Sequence, residues 1–114
     1  MGLFGKKNKG AAPESKLKVS LAQDGEAYTF LVEGRLDTLT SPELDTRINE
    51  VIANAKKLVL DLGKLDYVSS AGLRVLLGAA QQMDGKGEMV LIHVTPDVRE
   101  IFDITGFIEV FNIE

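Results

Sequence analysis

The fold is decided by residues 58–77, LVLDLGKLDYVSSAGLRVLL, where an apolar strand pattern gives way to a helical one. The dense apolar run over 57–62 is typical of a short strand that is covered on both sides. The spacing then changes to i, i+3, i+4 and i+7, which predicts an amphipathic helix over 71–83. Two adjacent hydroxyls, Ser69 and Ser70, lie at this junction, where either side chain can cap the helix. The stretch is therefore predicted to be a strand, a serine-containing turn and a helix.

The rest of the chain continues the alternation of strands and helices. The order ββαβαβαβ predicts a single α/β domain, because right-handed crossovers connect parallel strands in such sequences. We therefore expect a mixed β-sheet with helices packed on it over residues 16–114, preceded by a disordered basic tail over 1–15. The other predicted elements are, in chain order, a hairpin over 17–33 that turns at Asp24-Gly25, a helix capped by Ser41 with Pro42 at its first position, a strand over 88–94, a helix capped by Thr95 and ended by Gly106, and an edge strand over 109–113.

Composition and charge argue against several classes of function. The 114 residues include no cysteine and one histidine, and the acidic side chains show no ligand spacing, so we expect no metal site and no cofactor. Residues 1–16 carry four lysines and one glutamate, a net charge of +3. Because the whole chain has a net charge of −4, the remaining residues carry −7. An acidic body of this kind argues against nucleic acid as a partner. There is no apolar run of the ~18 residues that a membrane span needs and no secretory signal, so a cytoplasmic location is expected.

The basic tail is interpreted as a solvated leader, and no membrane contact is expected from it. The alternative is weak binding to anionic lipid, with Leu3 and Phe4 as apolar anchors beside three lysines that contribute ~1 kcal/mol each. Binding of that size is marginal. Liposome co-sedimentation of chains with and without residues 1–12 separates the two interpretations.

The serine pair admits three interpretations from the residues alone. A cap would contribute ~1 kcal/mol by accepting a hydrogen bond from a free backbone N–H of the first turn. A nucleophile would need His93 and Asp66 at the same sheet edge, but Val68 stands where the motif GxSxG requires glycine, and a packed core position is the commoner explanation of a histidine in an apolar strand. A switch is the third interpretation, because a phosphoryl group at a helix N-terminus adds about −1.5 to −2 of charge where the macrodipole favours it. The hydrolase has the least support, so no enzymatic activity is expected.

The outer face of the predicted 71–83 helix carries Arg74, Gly78 and Gln81, opposite its apolar stripe. Glycine inside a helix costs ~1 kcal/mol relative to alanine, so its presence needs an explanation. Gly78 serves either a close packing contact within the domain or a flat surface that a partner approaches beside the serines.

Three segments, taken in order, resemble one known family. YVSSAGLRVLL after the strand LVLDL is similar to the signature of STAS domains and, more narrowly, of bacterial anti-sigma factor antagonists. EGRLDTLTSPEL resembles the loop that leads into the first helix of that family, and VLIHVTPDVREIFDITGF resembles its penultimate strand with the following helix and glycine. The resemblance covers about residues 17–111 and implies a small α/β domain with a mixed sheet.

The resemblance also implies a partner-switching role. In that family, the unphosphorylated protein binds an anti-sigma factor that is a serine/threonine kinase, and the sigma factor is released. Phosphorylation then loosens the complex, and a PP2C-type phosphatase reverses the modification. Aligned on the glycine of the motif, the family pattern places the phosphoacceptor at Ser70, with Ser69 as the second choice. The residues implied or expected to bind the partner are Asp37, Thr38, Ser69, Ser70, Gly72, Arg74 and Gly78.

Two alternatives stay open. One is a STAS scaffold or subunit of a lipid-transport or signalling complex, in which the serine is structural. The other is a sensor that binds nucleotide or lipid at the same sheet edge. The chain also ends soon after residue 109, without room for the final helix that many members carry. Part of the sheet is therefore expected to be either more exposed or covered by a partner or by a second copy in a weak homodimer.

Overall fold

Four strands form one mixed sheet in the computed structural model, which describes residues 16–114. They lie side by side in chain order; β1 and β2 are antiparallel, whereas β2, β3 and β4 run parallel. The predicted α/β class, the mixed sheet and the three helices are confirmed. The strands are β1 (Leu17–Asp24), β2 (Ala27–Leu36), β3 (Lys57–Val68) and β4 (Glu88–Ile92), and the helices are α1 (Ser41–Asn49), α2 (Ser70–Met83) and α3 (Pro96–Thr105), with 3-10 turns at Ile52–Asn54 and Phe107–Glu109.

The hairpin between β1 and β2 turns one residue later than predicted. Asp24 is still in register with Ala27, so the two-residue turn consists of Gly25 and Glu26. Gly25 has a φ of +62°, which the first position of such a turn requires and which glycine adopts without strain. The glycine therefore has the predicted conformation, but Asp24 belongs to the strand.

One side of the sheet carries the hydrophobic core. Phe30, Leu60 and Leu91 lie in register on β2, β3 and β4, and all three side chains are fully buried. Right-handed crossovers place α1 and α2 on the same side of the sheet, where the two helices contact each other. Burial of each large apolar side chain contributes ~1.5–3 kcal/mol, so this layer fixes both helices on the sheet. The helices contribute Leu44, Ile48, Leu73 and Leu76 to the same buried cluster.

The start of α1 differs from the prediction by one residue. Thr40 is the N-cap, and Ser41 is the first helical residue instead of the cap. The Ser41 hydroxyl donates to the backbone carbonyl of Asp37, so it is directed back to the preceding loop. The hydroxyl of Thr40 donates to the backbone carbonyl of Arg35 at 2.7 Å. Both hydroxyls therefore stabilise the loop before α1 rather than the free N–H groups of the helix.

The end of α3 is predicted correctly, but the segment after it is not. The hydroxyl of Thr95 caps the helix, and Gly106 ends it with a φ of +83°. The predicted edge strand over 109–113 is wrong, because the chain enters a 3-10 turn after Gly106. Within the described residues, a single bridge between Leu91 and Ile113 connects this segment to β4.

Aromatic packing explains why the C-terminal segment does not extend the sheet. The ring of Phe111 packs edge-on against Phe102 of α3, with the ring centroids 5.3 Å apart, and stacks on Phe107 at 5.5 Å. To reach these rings the chain curls, and the backbone N–H of Phe111 donates to the carbonyl of Phe107 at 3.1 Å. A backbone group that is bonded in a local turn cannot take part in a strand ladder.

The outer edge of β1 is in contact with α1. The guanidinium of Arg47 donates to the backbone carbonyl of Val19 at 3.2 Å. Carbonyls alternate in direction along a strand, and the carbonyl of Lys16 points to β2, where it accepts from Arg35. The carbonyl of Val19 therefore points away from β2, and α1 is tied to the hairpin as well as to the core.

The predicted tail over 1–15 and its lipid-binding alternative lie outside the described residues. The boundary of the domain at residue 16 therefore stays a prediction. In the part that the structure describes, no helix has both the length and the apolar character needed to cross a bilayer.

Candidate functional site

The junction between β3 and α2 separates the roles of the two serines. Ser69 is the N-cap of α2, and its Oγ accepts a hydrogen bond from the backbone N–H of Gly72 at 3.3 Å. Ser70 is the first residue of the helix and is exposed. Among the described residues, the hydroxyl of Ser70 has no hydrogen-bond partner. The sequence leaves the capping residue open, and the structure identifies it as Ser69.

The end of β2 lies directly against the start of α2. The backbone N–H of Ser69 donates to the carbonyl of Leu36 at 2.9 Å. A Cβ atom on Gly72 would lie 2.8 Å from both that carbonyl oxygen and Cγ of Leu36. No side chain fits there without movement of the backbone, so glycine is needed at this position for close approach. Gly72 is buried, and it fixes where the two serines lie relative to the sheet.

Asp37 organises the turn that follows β2. Its Oδ1 accepts from the backbone N–H of Leu39 at 3.0 Å and from that of Thr40 at 3.1 Å. Its own backbone N–H donates to the hydroxyl of Thr40 at 2.9 Å. Nε of Arg35 lies 3.7 Å from Oδ2. Asp37 therefore supports the loop from within, and this loop leaves the sheet at the same edge as the two serines.

The hydrogen bonds of this turn determine the pKa of Asp37. Partial desolvation of the carboxyl raises its pKa, but the remaining influences act in the other direction. They are hydrogen bonds from the backbone and side chain of Thr40, a hydrogen bond from the backbone of Leu39 and the positive charge of Arg35. Together they hold the pKa of Asp37 below its ordinary value, because each of them stabilises the carboxylate.

Thr38 and Leu39 form the exposed tip of the turn. The side chain of Leu39 is 90% exposed, more than that of any other large hydrophobic residue in the part of the chain described. Sequence reasoning included Thr38 in the site and missed Leu39. The available signal was an apolar residue between two threonines in a predicted loop, which does not reveal exposure.

The exposed stripe of α2 begins at Ser70. Arg74 and Gly78 follow at i+4 and i+8, so the three residues lie along one side of the helix. Arg74 is exposed and Gly78 is half-buried. A Cβ atom on Gly78 would meet no atom of the described residues within 4 Å. The packing explanation for Gly78 is therefore wrong within this domain, and a flat surface beside Ser70 remains.

The group that a serine hydrolase would need is not assembled. Nδ1 of His93 lies 3.0 Å from Oδ1 of Asp61 rather than near Asp66. The side chain of His93 is two-thirds exposed, and its φ of +57° follows the end of β4, so the prediction of a packed core histidine is wrong. In the part of the chain described, no three His, Cys, Asp or Glu residues are grouped so that they could hold a metal ion.

A comparison of the sequence with protein-family models identifies the family of this chain. Residues 18–114 match the model of the STAS domain. The chain belongs to the STAS domain family. This match confirms the family predicted from the three segments.

Individual STAS proteins are similar to this chain in sequence and in fold. The candidate anti-sigma factor antagonist BtrV of Bordetella bronchiseptica is 40% identical over 84 residues, which are 72% of each chain. The anti-sigma F factor antagonist of Paenibacillus polymyxa is 32% identical over 85% of this chain and 86% of its own length. The crystal structure of an anti-sigma factor antagonist from Mycobacterium paratuberculosis has the same fold, with a TM-score of 0.79, 24% identity and coverage of 90% and 88% of the two chains. These names describe regulatory proteins and not enzymes, in agreement with the predicted class.

Proposed function

We propose that this STAS domain is an anti-sigma factor antagonist that is switched off by phosphorylation of Ser70. In its unmodified form, it binds an anti-sigma factor that is a serine/threonine kinase, and a sigma factor is released in the cytoplasm. A PP2C-type phosphatase restores the binding form. The single observation that carries this proposal is the difference between the two serines: the hydroxyl of Ser69 caps α2, whereas Ser70 is exposed and, within residues 16–114, unbonded.

The start of α2 can accept a phosphoryl group without loss of the fold. The first turn of the helix contains no acidic residue, so an added anion meets the free N–H groups and the positive end of the helix macrodipole. The modification changes the charge at this point by about −1.5 to −2. The charge of the surface therefore changes strongly while the architecture of the domain remains.

The same charge opposes binding to the kinase. The nucleotide site of a kinase already holds the phosphates of its nucleotide, and a phosphoserine must be desolvated against it. A penalty of ~3–4 kcal/mol corresponds to binding that is about 100- to 1000-fold weaker. We place the docking surface on the loop after β2 and on the outer face of α2. Its residues are Asp37, Thr38, Ser69, Ser70, Gly72, Arg74 and Gly78. Within this set, Asp37, Ser69 and Gly72 contribute by holding the other residues in position.

The modification itself is tested by incubation with ATP and the kinase that is encoded beside this protein, followed by measurement of the intact mass. The wild type should gain one phosphoryl group, and Ser70→Ala should gain none. Ser69→Ala is the matched control, since it removes the neighbouring hydroxyl and should still be modified. A phosphoryl group on Ser70→Ala at Ser69 or at a distant residue overturns the assignment.

The effect on binding is tested by titration of the kinase with variants of the same residue. Ser70→Ala should keep the affinity of the wild type, and Ser70→Asp should weaken it in the direction of the 100- to 1000-fold loss. Ser20→Asp on β1 introduces the same charge at an exposed hydroxyl away from α2, and it should bind like the wild type. A kinase that binds tightly but leaves Ser70 unmodified would instead favour a scaffold role in a lipid-transport or signalling complex.

A further inference from the structure

The loop after β2 presents one large apolar side chain to solvent. Leu39 is 90% exposed, whereas the exposed leucine of β1, Leu21, is 38% exposed. A single exposed leucine is ordinary on a protein surface and by itself indicates nothing. Its significance depends on how firmly it is held and on what lies beside it.

The turn that carries Leu39 is rigidly built. The backbone N–H of Leu39 is bonded to the carboxylate of Asp37, and the turn is closed further by Thr40. Arg35 at its base is held on both sides, by Asp37 at 3.7 Å and by the ring of Tyr67, whose centroid lies 4.4 Å from the guanidinium carbon. Because the backbone of this turn is already ordered, little backbone conformational entropy is lost when Leu39 binds, which favours its use as an anchor.

The turn also adjoins the residue that we propose as phosphoacceptor. It begins directly after Leu36, whose carbonyl accepts the N–H of Ser69. β2 and β3 are parallel, and Leu36 is in register with Val68, so the chain leaves both strands at the same edge of the sheet. Leu39 and Ser70 are therefore presented to a partner from the same edge of the sheet.

We propose that Leu39 is an apolar anchor that inserts into a hydrophobic pocket of the anti-sigma factor kinase, beside the site that receives Ser70. This inference rests on the proposed function, because it assigns a further contact to the same docking surface. It identifies the chemistry of the partner at this point: an apolar pocket next to the phosphate-binding groups of the kinase. The hydroxyl contributes the switch, and the leucine contributes affinity.

The test compares leucine variants with a matched apolar control. Leu39→Ala removes an apolar side chain that would be buried on binding, so affinity for the kinase should fall about 10- to 100-fold, mainly through faster dissociation. Leu39→Asp should fall further, and Leu39→Met should stay close to the wild type. Ile104 on α3 is 76% exposed, and Ile104→Ala and Ile104→Asp should leave the rates of association with the kinase and dissociation from it unchanged. Thermal unfolding of all variants should match that of the wild type.

The outcomes separate this inference from the proposed function. At kinase concentrations above the weakened dissociation constant, Ser70 of Leu39→Ala should still be phosphorylated. If the wild type binds and is switched at Ser70 while both leucine variants bind equally well, only the anchor is wrong. Equal losses at Leu39 and Ile104 also overturn the anchor. If the wild type does not bind the kinase, the proposed function and the anchor fail together.

Discussion

The starts of α2 and α3 have the same capping geometry but differ in the residues after the cap. In each helix, the hydroxyl of the N-cap accepts from the backbone N–H three residues later at 3.3 Å, Ser69 from Gly72 and Thr95 from Val98. Both caps have extended backbone, so a local hydroxyl satisfies one of the first free N–H groups of each helix. At the level of the cap, the two sites are equivalent.

The first turns differ in charge and in accessibility. α3 begins with Pro96 and Asp97, so a carboxylate already lies at the positive end of the helix. α2 begins with Ser70 and has no acidic residue in its first turn. The first turn of α3 therefore always carries a negative charge, whereas the first turn of α2 would carry one only after the proposed modification of Ser70.

The largest effect is expected at the third helical position, which is buried in both helices. Val98 fills the core, whereas a Cβ on Gly72 would lie 2.8 Å from the carbonyl oxygen of Leu36. We expect Gly72→Ala to lower the free energy of unfolding by about 1–3 kcal/mol, despite the higher helix propensity of alanine. Denaturation with urea measures this change. The control Gly78→Ala should be neutral or stabilising by up to ~1 kcal/mol, and equal results for the two glycines would contradict the packing argument.

The equivalence of the two caps is tested by deletion of each hydroxyl. Ser69→Ala and Thr95→Ala should each lower the free energy of unfolding by ~1 kcal/mol, because each leaves one backbone N–H without its acceptor. Ser70→Ala should cost much less, since the hydroxyl of Ser70 has no bond to lose in the described part of the chain. If Ser70→Ala lowered the free energy of unfolding more than Ser69→Ala does, Ser70 rather than Ser69 would be the capping residue.

A smaller effect is expected when the charges of the two first turns are exchanged. Ser70→Asp should raise the free energy of unfolding by ~0.3–1 kcal/mol, and Asp97→Asn should lower it by a similar amount. Thermal unfolding at low and high salt measures both, and salt should reduce both changes. If the proposed function is correct, Ser70→Asp should therefore stabilise the fold and weaken binding to the kinase. Unfolding of Ser70→Asp would show that α2 does not tolerate charge at its start.

The smallest effect is expected from the carboxyl that braces the loop beside α2. The pKa of Asp37 lies below its ordinary value of 3.8, so the charged form stabilises the folded state above the unfolded pKa. This contribution is lost as the pH falls through the folded pKa. The difference in stability between wild type and Asp37→Asn should therefore be constant above about pH 5 and shrink below about pH 4. Urea midpoints across this range measure it. Leu39→Ala keeps the backbone donors to the carboxylate and should retain the wild-type pH dependence.

Elements that depend on local sequence were predictable. α2 and α3 lie where the 3.6-residue spacing and the capping hydroxyls place them, since both signals act within a few residues. The C-terminal segment was not predictable, because its alternating apolar residues also suit a strand. The contact between Phe102 and Phe111 favours the turn over the strand, and these residues are too far apart in sequence for a local pattern to include their contact.

The position of the candidate site was also predictable, but its internal arrangement was not. The serine pair lies at the start of α2, as expected. Which serine caps the helix depends on backbone angles: Ser69 has an extended φ of −90° and ψ of 176°, and Ser70 is helical. The exposure of Leu39 and the pairing of His93 with Asp61 depend on neighbours from other strands and loops, which composition and spacing do not reveal.

The contact between Arg47 and Val19 has a consequence for self-association. A strand at the margin of a sheet presents free carbonyls that another chain can use to extend the sheet indefinitely. Here the guanidinium of Arg47 occupies one of these acceptors, and an added strand would have to displace it before pairing at Val19. The hydrogen bond makes strand addition at this point of β1 less favourable, and it comes from a helix that also contributes to the core.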